Sequence, residues 1–295
     1  MWILLPQVII DGLLLGGIYF SLAVGFSTAY GVLHIIDFAV GEWIMLGGFV
    51  GLTLSGWIGV DPFVTLPLLF VVFFGAGFYL EPVLARAMSG SRGRPVLMGL
   101  VFTFGLALFF AGSGQTVFGI LTKSVNTFIS QGSWSFALGP FYITIPYVRF
   151  ACLLYAALMM IGLTLLLKKT DFGLAVRAVA LNKEAAGLMG VNVGKTAAWV
   201  YGIFTSVTAM TGVFYGAALS LNTHMGPKLT VLAFFVVVLA GMGHLPGVPW
   251  AAILLGLIHS FFVIYLQPAY TLLAVFGILY IILLISPTGM FRKGI

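Results

Sequence analysis

Ten of the thirteen Lys and Arg residues fall in three short stretches, 86–94, 168–195 and 292–293, and long apolar runs separate those stretches. A chain patterned in this way has almost no surface to show to water. Only 7% of its residues are charged and 61% are apolar, whereas a soluble domain carries about 25% charged residues. The pattern predicts an all-α integral membrane protein. Roughly 20 apolar residues cross a bilayer as a helix, which marks spans near 3–30, 38–57, 62–87, 95–119, 142–168, 196–220, 229–243, 248–267 and 269–288. Two of these, 38–57 and 229–243, are short or interrupted by glycine. The expectation is therefore eight or nine transmembrane helices with two broken or re-entrant segments, in one membrane domain over 1–295 without strand periodicity.

Basic residues accumulate in cytoplasmic loops, so the three basic stretches are placed there. The net charge of +6 is then a topology signal and not a nucleic-acid footprint. The 121–141 connection is poor in charge and contains Trp134, Phe136 and Phe141, so it is expected outside, lying on the interface. Nine crossings would put the N-terminus outside as well. The opening MWILLPQVII lacks a basic n-region and reads as the first span, not a cleaved signal. The single cysteine, Cys152, excludes an intrachain disulfide.

The longest polar interruption, Lys168 to Thr196, carries its own pattern. Ala175, Ala178 and Val179 are spaced for one helical face, with Arg177 pointing elsewhere. Asn182 reads as an N-cap, with Lys183, Glu184, Ala185 and Ala186 opening a second short helix that Gly190 and Gly194 end. A short helix held at the cytoplasmic surface is a handle for a soluble partner. The run from Gly190 to Thr196 is not a phosphate loop, because three residues separate the glycines where the motif needs four.

Two breaks stand out inside the spans. The first, Gly31–Gly48, holds His34, Asp37 and Glu42; the second, Ala240–Gly247, reads AGMGHLPG. Ionisable groups at membrane depth face a cavity or a partner, and irregular backbone survives there only where protein or water satisfies it. Paired glycine-interrupted segments point to a transport pathway. On this reading Asp37, Ala39, Val40, Gly41, Glu42, Gly241, Gly243 and His244 line it. The alternatives are that Asp37 and Glu42 cap a helix at the interface and that His244 is a surface loop residue. Asp11 is either a dipole partner for the first span or a polar contact in the bundle. His259 reads as a packing histidine, and no two histidines have metal spacing. The pairs Gly12/Gly16, Gly47/Gly51 and Gly212/Gly216 permit close backbone approach, within the chain or to another subunit. Nothing resembles a catalytic constellation.

The sequence Glu184-Ala185-Ala186, three residues, Gly190 resembles the EAA signature of ATP-binding-cassette importer permeases. Asp11 to Gly31 resembles the opening span of branched-chain amino acid permeases of the H type. Asp37-Phe-Ala-Val-Gly-Glu42 is similar to that family's Asn-Phe-Ala-His-Gly-Glu, and Leu239 to Gly247 to its Leu-Gly-Gly-x-Gly-Ser-x-Pro-Gly. Asp171 to Asn192 and Pro287-Thr288-Gly289 match further blocks. The departures are Asp37 for Asn, Val40 for His, Ala240 for Gly and His244 for Ser. The resemblance implies a permease subunit of a bacterial inner-membrane importer that works by alternating access and is not an enzyme. It implies a second homologous permease, two ATPase subunits that bind ATP and Mg, a periplasmic or extracellular substrate-binding protein, and no cofactor on this chain. The 168–195 loop becomes the coupling loop, with Arg177, Asn182, Glu184, Ala185, Ala186, Leu188, Met189 and Gly190 at the ATPase. The solute is a branched-chain or other hydrophobic amino acid, or else urea, a short amide or an organic acid. The rival class is an ion-coupled secondary transporter, for which Asp11, Asp37 and Glu42 are the candidate relays.

Overall fold

In a computed structural model, the described residues are 5–89, 95–138, 141–266, 270–286 and 289–291. Arg92, Arg94, Arg292, Lys293 and the Pro287-Thr288 pair, used above, lie outside them. The helices are α1 (Leu5–Leu33), α2 (Val40–Ile58), α3 (Leu66–Ser89), α4 (Pro95–Phe118), α5 (Tyr147–Lys169), α6 (Asp171–Leu181), α7 (Lys183–Leu188), α8 (Val193–Ala218), α9 (Gly226–Ala240), α10 (Val248–Tyr265) and α11 (Thr271–Ile285). Among the described residues, six helices are long and apolar enough to cross a membrane: α1, α3, α4, α5, α8 and α10, the last counted with the 3-10 turn before it. Of the remaining apolar helices, α2 has 19 residues, and α9 and α11 are shorter, with 15 each. At 1.5 Å per residue a 15-residue helix reaches about 22 Å, less than the roughly 30 Å of a hydrocarbon core.

The bundle is built around α8, which is almost wholly buried, while α4 lies at the periphery. Small residues set the helix approaches. Gly47 and Gly48 of α2 lie on Ala209 and Gly212 of α8, where a Cβ on Gly212 would collide with the Ile44 carbonyl. Gly12 and Gly16 of α1 sit against Gly256, Ile253 and Leu257 of α10. Gly216 packs on Leu221 and Val125. All three glycine pairs are thus used inside the chain. Without water to drive apolar burial, this close van der Waals contact is a main source of cohesion between membrane helices.

One element differs from expectation. Ser133–Leu138 (β1) and Phe141–Pro146 (β2) form an antiparallel hairpin, with Trp134 opposite Ile145 and Phe136 opposite Ile143. The sequence alternates Ser-Trp-Ser-Phe, a strand pattern, but the apolar run beginning at 142 conceals the second strand. Helix α5 therefore starts at Tyr147, five residues later than expected. A hydrogen-bonded hairpin satisfies its own backbone groups, as a bare interfacial loop would not.

The hairpin and the start of α1 share one end of the bundle. The Gln7 side chain donates to the Thr144 carbonyl (3.1 Å) and accepts from the Thr144 N–H (2.9 Å). Asp11 pairs with Arg149 at 3.2 Å and accepts from Gln7 at 3.0 Å, so it is a polar contact in the bundle. His259 meets the Tyr19 hydroxyl at 2.5 Å, a packing histidine with a partner.

Candidate solute pathway and coupling surface

The first break begins where α1 stops at Leu33. His34 has φ +58°, a left-handed conformation that is uncommon away from glycine. Asp37 follows, and its carboxylate is buried. Oδ1 accepts the Ala39 N–H at 2.7 Å, and Oδ2 accepts the Tyr201 hydroxyl of α8 at 2.7 Å. Asp37 therefore closes the turn that leads into α2, whose N-cap Ala39 has no side-chain capping bond, and it is tied to the central helix inside the protein. Ala39 and Val40 are fully enclosed.

Glycine brings α2 onto the start of α9. A Cβ at Gly41 would strike the Gly226 carbonyl, and one at Gly226 would strike the Glu42 carboxylate. The Gly41 N–H donates to Thr230 Oγ1 at 3.0 Å, and that hydroxyl faces the Phe38 and Gly226 carbonyls at 3.2 and 3.1 Å. Glu42 is buried against the N-terminal turn of α9, where the helix dipole favours a negative group. Its Oε2 has no hydrogen-bond partner among the described residues.

Of the cavities that meet the 33–38 stretch, two are lined by candidate residues. The first, about 250 Å³, is lined by Phe26, Ile36, Asp37, Phe38 and the Thr230–Phe235 side of α9, with Phe276 from α11. It is apolar except where Asp37 and Thr230 meet it. The second, about 290 Å³, is lined by Tyr30, Gly31, His34, Met242, Gly243 and His244. It joins the two breaks, because a Cβ on Gly31 would lie 3.3 Å from Gly243 Cα. Gly241 and Gly243 have φ of +91° and +80°, so this turn requires glycine. The candidate residues thus divide. Asp37 lines the first cavity, Gly243 and His244 line the second, Glu42 and Gly41 lie at the α2–α9 contact, and Gly241 shapes the second turn.

The 168–195 loop folds as α6 and α7. Asn182 caps α7, accepting from the Glu184 and Ala185 N–H groups at 3.0 Å each. Gly190 follows the helix with φ +88°, whereas Gly194 lies inside the first turn of α8. The inward face of α6 is Gly173, Val176 and Val179, so Val176 takes the place expected of Ala175. Arg177 points out and donates to the Leu167 carbonyl. Leu181, Leu188 and Met189 are 88%, 90% and 85% exposed, and Glu184 and Ala185 stand beside them in the open. Ala186 is 4% exposed and faces the protein itself. Bulk at Ala186 would overpack this chain and not a partner.

Several residues of consequence were not singled out from sequence. Tyr201 and Thr230 carry no motif and acquire meaning only through Asp37 and Gly41. Glu81 is a buried carboxylate in α3, so the intramembrane acids are not confined to the first fifth of the chain; a lone acid inside an apolar span is the signal that would have found it. Lys183 reaches from α7 to the Leu33 carbonyl at 3.3 Å, tying the loop to the end of α1. Lys228 is an exposed cation in the first turn of α9.

The family described as branched-chain amino acid transport system / permease component matches residues 8–284. The chain belongs to that family. It is 28% identical over 300 residues to the high-affinity branched-chain amino acid transport system permease protein BraD of Pseudomonas aeruginosa, covering 97% of this chain and 95% of that one. It is 27% identical to LivH of Escherichia coli strain K12, with coverage of 97% and 95%. A probable LivH of Methanocaldococcus jannaschii is 28% identical, with coverage of 91% and 87%. No solved structure matches the chain. The protein is thus a multi-pass inner-membrane permease of an ATP-binding-cassette importer, working with ATPases and a binding protein. It is a transport subunit and not an enzyme.

Proposed function

We propose that this chain forms half of the solute pathway of an importer for branched-chain or other hydrophobic amino acids, opposite a second homologous permease. The observation that carries the solute class is the cavity of about 250 Å³ with apolar walls and one carboxylate, Asp37, at its edge. Ligand pockets typically run from about 300 Å³ upward, so this space suits a small solute. An aliphatic side chain gains by contact with Phe234 and Phe276, while urea and short amides would leave these walls unused. The path follows Asp37, Ala39, Val40, Gly41 and Glu42 on one side and Gly241, Gly243 and His244 on the other. With Ala39 and Val40 enclosed, the conformation is closed at α2 against α9.

Two ATPase subunits carry ATP and Mg and hold the exposed tip of α7. Closure of the ATPase pair draws on this tip. Lys183 passes the displacement to the end of α1, next to the first break. The 168–195 loop is then cytoplasmic, and the hairpin and the start of α1 are outside, because α1 touches β2 at one end and Lys183 at the other. Counting α2, α9 and α11 with the six longer helices makes nine spans.

The test of the solute is competition in the reconstituted importer. Leucine, isoleucine and valine should suppress labelled leucine uptake, and vanadate should stop it. Suppression by urea, acetamide or organic acids with no effect of the amino acids sinks the solute reading. Vanadate-resistant uptake would favour the secondary-transporter class. The topology has its own measurement. Ser133 is exposed on the hairpin and Cys152 is buried, so Ser133→Cys should react with an impermeant thiol reagent added outside. Labelling only from the cytoplasm would reverse the assignment.

Lys183 gives a milder prediction. Lys183→Met should lower uptake several-fold at unchanged ATPase rate, and Lys183→Arg should restore part of it, since Arg can also reach a carbonyl. Equal ATP consumed per leucine in wild type and Lys183→Met would show that the contact transmits nothing.

A further inference from the structure

We infer that the cavity of about 290 Å³ between Tyr30, His34 and His244 is a second solute site, a release stop on the cytoplasmic side that takes a zwitterionic amino acid. This rests on the functional reading above and adds a site to it. Four observations converge here.

The wall is polar where the first cavity is apolar. It presents one phenol and two imidazoles, and among the described residues no group hydrogen-bonds the side chains of Tyr30, His34 or His244. Three polar groups left free around one space offer donors that a carboxylate can use. Second, the wall stands at the C-terminal ends of two helices: Tyr30 and Gly31 lie in the last turn of α1, and Met242 to His244 follow the end of α9 at Ala240. Helix C-termini favour a cation, which suits the ammonium group of the same solute. Third, His34 is held at φ +58° with its ring stacked on Tyr30 at 6.1 Å. A non-glycine residue kept in a sparsely populated conformation marks a place where the surrounding structure dictates side-chain direction. Fourth, Lys183 of α7 binds the Leu33 carbonyl, one residue from His34. The cavity therefore lies at the end of the bundle that bears the coupling loop. A solute leaving the apolar cavity along the 34–38 stretch reaches this space next, and one exposed and one half-buried imidazole hold it weakly enough for release.

The test uses the assembled importer in proteoliposomes, with binding protein on one face and ATP on the other. Labelled leucine uptake is measured while unlabelled L-leucine is raised on the ATP face, and each protein is scaled to its own uninhibited rate. Wild-type uptake should fall as leucine accumulates there. The half-inhibiting concentration should rise at least about tenfold in His34→Ala/His244→Ala. Isovalerate and isoamylamine, each carrying one of the two charges, should inhibit far less than leucine. An unchanged half-inhibiting concentration, the absence of inhibition in wild type, or equal inhibition by isovalerate overturns the site while leaving the transport function intact. Absence of any ATP-driven leucine uptake overturns the functional reading and the site together. Should the double variant not assemble, His244→Cys supplies the measurement. L-leucine should slow its reaction with a thiol reagent at least about fivefold, and an equal rate with and without leucine overturns the site.

Discussion

Leu188→Asp together with Met189→Asp is expected to reduce ATP-driven uptake at least about a hundredfold while leaving the permease folded and inserted. The two side chains are almost fully exposed at the end of α7, with Leu181 beside them. They contribute nothing to the core of the chain, so a charge there is free in the isolated subunit. In the assembly the same atoms would enter a groove on the ATPase, and a desolvated carboxylate without a partner is among the most disruptive groups at an interface. A hundredfold loss corresponds to about 2.7 kcal/mol, less than alanine scanning finds for strong interface anchors. Two measurements separate the cases. Co-purification with the ATPase should fall, and detergent-extracted permease should keep its wild-type melting temperature. Retained uptake with normal complex formation would mean that this tip docks nothing. Ala186→Trp is the wrong variant for this purpose, because Ala186 faces its own protein and the overpacking would destabilise α7.

Most of the helical frame was legible because its signal is additive. A span of twenty apolar residues is recognisable whatever it packs against, and each expected span has a helix over most of its length. The cap at Asn182 was legible for the opposite reason: it is local, needing only an acceptor side chain two and three residues before the donors it serves. What could not be read was the pairing. Tyr201 lies 164 positions from Asp37, and no spacing rule relates them. Gly226 looks like any glycine at the start of a helix until the Glu42 carboxylate is found where its Cβ would be. The β2 strand was hidden because Phe141–Pro146 is both apolar enough to extend a span and branched enough to pair. Periodicity over six residues cannot outweigh the 23 apolar-rich residues of α5 behind it. The sequence raised Asp37 and His244 together as departures from the family pattern, but only the structure assigns them to different cavities.

Asp37→Leu is expected to lower the stability of the assembled permease by about 2–6 kcal/mol and to abolish uptake, while Asp37→Asn is expected to do neither. As an interfacial cap, Asp37 would contribute about 1 kcal/mol. Its position makes the difference. Both oxygens are engaged in a buried site, one by the Ala39 N–H and one by the Tyr201 hydroxyl. Leucine leaves both donors without an acceptor, and each orphaned buried group costs about 1–3 kcal/mol. No water at this depth replaces what is lost. Asparagine keeps one acceptor oxygen for Ala39, and its amide can donate to the Tyr201 hydroxyl, which rotates to accept. The cost of leucine should therefore lie partly in Tyr201. Asp37→Leu/Tyr201→Phe, which removes donor and acceptor together, should recover about half of the lost stability without recovering uptake, because no polar side chain stands at position 37 of the cavity wall, where Asp and Asn both place one. Melting temperature and leucine uptake of the four proteins, wild type included, measure both statements. If Tyr201→Phe rescues nothing, the hydrogen bond between α8 and the break does not hold the site. If Asp37→Leu transports normally, Asp37 is not on the path.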